Sequence, residues 1–273
     1  MAKLAYIKFE ENETKKNELI ESLKKANFSL NKVFDCNGTQ AFLALREKDK
    51  MVILAFRGTE KDSLKDIISD LDARYYKDEN GEKSHKGFLK AFQYVEEEVR
   101  KSLDNLTDCA LYITGHSLGG ALAMIATHSL NSDNLAACYA FGGPRVGNSE
   151  FGDTIKPPIY RVVNDLDPVP FLPPTYLWEA LRWFAQKFNW EKLLKFAEKM
   201  KGYAHHGDLR FLPACNADFK DARVITDRND FFRFIQYLIK KVSKWKEIAA
   251  DHAVDLYCEK LAQYALKRLK AEE

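Results

Sequence analysis

Residues 111–123, Leu-Tyr-Ile-Thr-Gly-His-Ser-Leu-Gly-Gly-Ala-Leu-Ala, constrain this chain more than any other stretch. A short apolar, β-rich run (Ala110 to Thr114) enters a Gly-x-Ser-x-Gly turn and leaves it as a helical run (Ala121 to Leu130). In that context Ser117 sits on a sharp strand-to-helix turn. Side chains at 115 and 119 would collide with neighbouring backbone, so both positions call for glycine. The turn pushes the Ser117 hydroxyl out at the strand end. It also sets the N-terminus of the next helix, with unpaired N–H groups and a partial positive charge, beneath any oxyanion that develops there.

The surrounding pattern supplies the sheet that such a turn requires. A helical pattern covers about Glu11 to Asn27, and strand-like runs follow at Ala41 to Arg46 and Met51 to Arg57. His85 to Leu103 reads as a helix with Phe88, Phe92, Val95 and Val99 in step. Leu135 to Phe141 and Ile159 to Val163 read as strands, and so do short stretches near Asp208 to Leu212 and Arg223 to Thr226. The alternation predicts an α/β fold, a mostly parallel sheet with helices on both faces, whose reactive groups gather at the carboxyl ends of the strands. No repeat or Pro/Gly linker interrupts the chain, so residues 1–273 read as one domain, with a helical insertion at about 174–202.

Composition removes several classes. With 46% hydrophobic residues and a net charge of +2, the chain is neither disordered nor basic enough to suggest a nucleic-acid partner. The five cysteines (Cys36, Cys109, Cys138, Cys215 and Cys258) are widely spaced and form no metal-ligand pattern. No metal or organic cofactor is expected. The first residues meet charge before any apolar stretch of signal-peptide length, and Leu135 to Phe141 is too short to span a bilayer. The resulting expectation is a cytoplasmic protein, with leaderless export left open.

A serine hydroxyl needs a base to take its proton and a carboxylate to orient that base, here in the chain order Ser, acid, His. Past the strand at 159–163, Asp165 and Asp167 both lie where an acid could act. Downstream, His205, His206 and His252 remain as bases, and spacing does not choose among them. His116, beside Ser117, reads as packing.

Taken together, five ordered segments resemble the class 3 lipases, the fungal-type triacylglycerol lipase family of the α/β-hydrolases. They are Ala55-Phe-Arg-Gly-Thr59, His85-Lys-Gly-Phe88, the Gly115–Ala123 elbow, Phe141-Gly-Gly-Pro-Arg-Val-Gly-Asn148, and Asp165-Leu-Asp-Pro-Val-Pro170. Weaker matches are His205-His206-Gly207 and Asp251-His252 with Tyr257. The resemblance implies a serine carboxylic-ester hydrolase with Ser117 as nucleophile, Asp167 as acid and His252 as base. It further implies an oxyanion hole built by Thr59 and the Leu118 N–H, and a lipid or ester substrate. By position a lid falls within Thr59 to Tyr76, where Leu64, Ile67, Ile68 and Leu71 keep helical spacing.

Two further helical patterns, Tyr176 to Met200 and Asp230 to Ile248, flank the late histidines. The first is basic and rich in tryptophan, with Trp178, Leu181, Trp183 and Phe184 as candidate acyl-pocket or lid residues. Such a helix suits a fixed cap or a transient contact with a lipid interface. A phospholipase A1 or lysophospholipase using the same residues is the nearest alternative, and a non-catalytic lipid-surface protein a more distant one.

Overall fold

The computed structural model describes residues 1–59, 75–77, 81–173, 187–188, 190–191, 194, 202–226 and 250–272. Its main strands are β1 (Ser29–Cys36), β2 (Thr39–Arg46) and β3 (Met51–Phe56), then β6 (Ala110–His116), β7 (Leu135–Phe141), β8 (Ile159–Asn164) and β9 (Asp208–Leu212). Two short strands, β4 (Tyr75–Lys77) and β5 (Lys83–His85), form a separate antiparallel ribbon. The large sheet has the order β1-β2-β3-β6-β7-β8-β9. From β3 to β9 every neighbour is parallel, while β1, β2 and β3 pair antiparallel at one edge. The helices are α1 (Glu13–Lys24), α2 (Lys86–Leu103), α3 (Leu118–Leu130), α4 (Ser149–Asp153) and α5 (Val254–Glu272).

Alternate residues of the strands feed two cores, which is why the central strands are apolar throughout. Leu43, Leu54, Phe56, Leu111 and Ile113 point to one face, where Phe88, Phe92, Val95 and Val99 of α2 and the buried length of α3 cover them. Phe42, Ala44 and Ala55 point to the other, against Ala5, Phe9, and Leu19 and Leu23 of α1. The expected elements are present, with differences at the margins. Strand β1 was not expected: it is an edge strand with a bulge between Leu30 and Lys32 and only Phe34 fully buried, so it carries polar residues that hide its period. The expected strand at Arg223–Thr226 is a single bridge from Ile225 to Phe211. The final helix begins at Val254, so His252 lies in the turn before it. The expected helices at 176–200 and 230–248 lie almost wholly outside the described residues, as does most of the 174–202 insertion.

Two buried polar clusters hold remote segments at the carboxyl end of the sheet. Arg57, directly after β3, ties down the N-terminal segment. Its Nε donates to the Ala5 carbonyl at 2.6 Å, its Nη2 to the Ile7 carbonyl at 2.7 Å, and its two Nη groups to both oxygens of Glu10 at 2.5 and 2.7 Å. The planar fork meets a carboxylate in the bidentate geometry that a lysine cannot reproduce. The second cluster centres on Asn164, at the end of β8. Its Nδ2 donates to the Asp251 carbonyl at 2.8 Å, and its Oδ1 accepts from the buried Lys260 at 2.6 Å. Lys260 also donates to the Pro213 carbonyl at 2.8 Å. The turn that carries His252 is thus fastened to the strand that precedes Asp167.

Replacing Arg57 with Met is expected to lower unfolding stability by about 3 kcal/mol, because Glu10 and two carbonyls lose their donor in a largely buried site. Arg57→Lys should recover only part of that loss in denaturant titrations. Undiminished stability in Arg57→Met would contradict the clamp.

Asp251 generates a pH prediction. Burial, with the neighbouring Asp165 carboxylate, pushes the Asp251 carboxyl up to about 6. The folded chain then keeps a proton that the unfolded chain releases near pH 4, so this group's contribution to stability falls as pH rises from about 4 to about 6. In Asp251→Asn the amide oxygen can still accept the Leu166 N–H, held at 3.4 Å by Asp251. The variant should therefore gain thermal stability over the parent between about pH 4 and pH 7. A difference that stays constant across that range would refute it.

Candidate active site

Ser117 occupies the junction of β6 and α3 with φ 59° and ψ −126°, a backbone conformation that L-residues rarely adopt. Such a conformation stores about 1–3 kcal/mol and persists only where its surroundings fix it. Both flanks here are fixed. The Ser117 N–H donates to the Phe141 carbonyl at the end of β7 at 2.9 Å. A Cβ on Gly115 would come within 2.1 Å of the Gly119 carbonyl oxygen, and one on Gly119 within 2.4 Å of the Phe56 carbonyl oxygen. The two glycines let strand, turn and helix approach to a distance no side chain would permit.

Asp167 and His252 meet beside this turn. His252 Nδ1 lies 2.9 Å from both carboxylate oxygens of Asp167, so Nδ1 carries the proton and the lone pair is on Nε2. Asp167 is fully buried, and further donors hold its carboxylate. The Val169 N–H reaches Oδ1 at 2.9 Å, and the Tyr257 hydroxyl reaches Oδ2 at 2.5 Å. Tyr257 is itself placed by the Asn164 N–H, which donates to its oxygen at 3.1 Å. Among the described residues, Ser117 Oγ and His252 Nε2 are buried and have no hydrogen-bond partner. A hydroxyl and a basic nitrogen left in this state call for an explanation, and a reacting pair that tightens on substrate binding is one.

The structure thus brings Asp167, and not Asp165, to the late histidine. Asp165 sits one turn away with φ 25°, its N–H on the Leu212 carbonyl at 2.8 Å. His206 serves the packing of α4: its Nε2 lies 3.4 Å from the Gly147 carbonyl and its ring 5.4 Å from that of Phe151. Burial pushes His206 down to about 4, so it stays neutral there. Leu118 opens α3, where its N–H has no intrahelical partner. Thr59 follows β3 and Arg57 at the same end of the sheet, half-buried. Of the expected lid and pocket residues, Leu64, Ile67, Ile68, Leu71, Trp178, Leu181, Trp183 and Phe184 all lie outside the described residues.

Three residues of the site had been passed over or given little weight in the sequence. Gly142 has φ 55°, and a Cβ there would lie 2.6 Å from Asp167 Oδ2 and 2.8 Å from the Tyr257 oxygen, so this glycine admits the Asp167 carboxylate to the end of β7. Tyr257 was only a weak match. His116 was read as packing, yet its ring nitrogens contact Tyr6 and the His252 carbonyl at 2.8 Å each. A glycine following a strand end was the available signal for the first. The other two contacts span 90 and 110–136 residues of sequence, beyond any local pattern. Among the described residues no group of three His, Cys, Asp or Glu could hold a metal ion, and no helix is long and apolar enough to cross a membrane.

Comparison with known proteins shows what this arrangement resembles. Residues 53–177 match the family described as Lipase (class 3). A lipase of Rhizomucor miehei is 36% identical over 152 residues, covering 50% of this chain and 41% of that protein. The chain spans about two-fifths of the length of the first curated relatives it matches. The crystal structure of a lipase from Rhizopus microsporus var. chinensis superposes with a TM-score of 0.61 at 27% identity, over 83% of this chain and 75% of that one. The secreted mono- and diacylglycerol lipase 1 of Fusarium solani is 37% identical over 98 residues, 33% of this chain and 29% of that protein. That relative overturns the cytoplasmic expectation and points outside the cell. The expectation had rested on one export signal and on thiol count, and neither is an address. The family match, the relatives and the shared sheet with its elbow agree: residues 53–177 are similar to the class 3 lipases, and the chain has the α/β-hydrolase fold.

Proposed function

We propose that the chain hydrolyses carboxylic esters of lipids, acylglycerols first among them, through an acyl-enzyme on Ser117. The observation that carries this reading is the His252 imidazole, held through Nδ1 by both oxygens of Asp167 at 2.9 Å, while its Nε2 and the Ser117 hydroxyl are each buried without a hydrogen-bond partner. His252 Nε2 takes the hydroxyl proton as Ser117 Oγ attacks the ester carbonyl, and Asp167 stabilises the imidazolium that forms. The carbonyl oxygen becomes an oxyanion at the positive end of α3, met by the Leu118 N–H and by Thr59. Collapse of the tetrahedral intermediate breaks the ester C–O bond. His252 returns the proton to the departing alcohol, and a water activated by the same nitrogen then releases the acid.

Every group in this sequence belongs to the chain, and Asp167 works without being protonated. Tyr257 and the Val169 N–H keep the carboxylate in the orientation that fixes the His252 tautomer. The lipases the chain resembles, among them a secreted one, support an apolar substrate and a site of action outside the cell.

The test is steady-state hydrolysis of a soluble short-chain ester and of an emulsified long-chain glyceride. Ser117→Ala and His252→Ala should lose about 10⁴-fold or more in kcat/KM on both, and Asp167→Asn a comparable factor through the wrong imidazole tautomer. Asp165→Asn should stay within a few-fold of the parent. Loss in Asp165→Asn with retention in Asp167→Asn would reverse the acid assignment. Faster turnover of a diacyl phospholipid than of the glyceride would move the substrate to the phospholipase class.

A further inference from the structure

His116 precedes Ser117 and is buried, and each of its ring nitrogens meets a partner from a distant part of the chain. Nε2 lies 2.8 Å from the main-chain carbonyl oxygen of His252, and Nδ1 lies 2.8 Å from the hydroxyl of Tyr6. A carbonyl only accepts, so Nε2 carries the proton. Nδ1 then holds a lone pair and accepts the Tyr6 O–H. Donor and acceptor are matched at both ends, and the imidazole has a single tautomer that satisfies them. Its ring also lies against that of His252, with centroids 4.6 Å apart and planes inclined by 32°, and edge-on to Tyr257 at 5.5 Å.

Space-filling alone would be met by an apolar ring, and would not need a donor aimed at the main chain of His252 and a phenol to fix which nitrogen donates. We infer that His116, oriented by Tyr6, is a positioning residue that holds the main chain of His252 so that its imidazole stays aligned between Asp167 and Ser117; this rests on the reading of His252 as the base. The need for such a hold follows from the local structure. His252 sits in the turn before α5 and not within it, so no helical ladder places its main chain. Asp167 fixes one nitrogen of the side chain, and His116 fixes the backbone from which the side chain springs.

The neutrality of His116 is part of this role. Burial, reinforced by the neighbouring His252, pushes His116 down to about 3, and burial raises the Tyr6 phenol above its ordinary value. Tyr6 thus stays a donor and His116 stays uncharged. A charged ring at this separation would oppose the protonation of His252 that the reaction requires. The same arrangement explains why the N-terminal segment is clamped by Arg57: Tyr6 lies between Ala5 and Ile7, the two residues whose carbonyls Arg57 holds.

The test compares full-length variants on a soluble short-chain ester, assayed well below each thermal midpoint. His116→Phe keeps the ring contact and removes both hydrogen bonds. His116→Gln keeps an amide N–H able to reach the His252 carbonyl. We expect kcat to fall about 10²-fold in His116→Phe with KM changed less than about twofold, since misplacement by about 1 Å can cost that much. His116→Gln should recover about tenfold of the loss, and Tyr6→Phe should lower kcat a few-fold. A His116→Phe enzyme with unchanged kcat and only a lower midpoint would overturn the inference, as would His116→Gln performing no better than His116→Phe. Should His116→Phe not fold, unchanged kcat in Tyr6→Phe overturns it instead. Ser117→Ala and His252→Ala run alongside. Activity in either defeats the hydrolase reading itself, whereas their inactivity beside a fully active His116→Phe defeats only the positioning role.

Discussion

The close approach at the elbow, where Gly119 presses against the Phe56 carbonyl and Gly115 against Gly119, governs the rest of this structure. A residue at φ 59° at a strand-to-helix junction is not stable by itself. It is held because β6 has parallel partners on both sides and because α3 is buried along most of its length between the sheet and α2. That burial is the reason α3 is so rich in small and apolar residues, and why its amphipathic period is faint. The strain at Ser117 is sustained by packing that lies mostly away from it.

Around that fixed point, the other two proposed catalytic residues, Asp167 and His252, are delivered by turns, and each turn is fastened by buried polar contacts. The turn with Asp167 follows β8 and is secured by the Asp167 N–H on the Asn164 carbonyl at 2.8 Å. The turn with His252 is bound to Asn164 from the other side, through the Asp251 carbonyl. Lys260, inside α5, completes the Asn164 amide. One asparagine thus serves both the proposed acid and the proposed base. The N-terminal ten residues, which no motif marks, join the same assembly through Arg57 and Tyr6.

What was legible in the sequence follows from the range of the interactions. The elbow could be read because its steric demand falls on residues two apart from Ser117, and the parallel strands could be read because buried strands are apolar without interruption. Position alone left Asp165 and Asp167 equivalent, and three histidines open as base; the family resemblance pointed to Asp167 and His252, and the geometry joins those two. Strand β1 was not legible, since an edge strand alternates weakly and a bulge breaks its register. The partners of Arg57 in residues 5–10 were not legible, because they lie about fifty positions away in the chain. His116 looked like packing because nothing within ten residues bonds to it. Cytoplasmic location was an inference from missing signals, and a secreted relative reverses it.

The most direct test of the central claim, that the elbow presents an activated hydroxyl, is covalent labelling with a fluorophosphonate followed by peptide mapping. One equivalent should attach to Ser117, at a rate that drops about 10³-fold or more when His252 is Ala. Label on a different residue, or an intact folded chain that takes up none, would contradict the account.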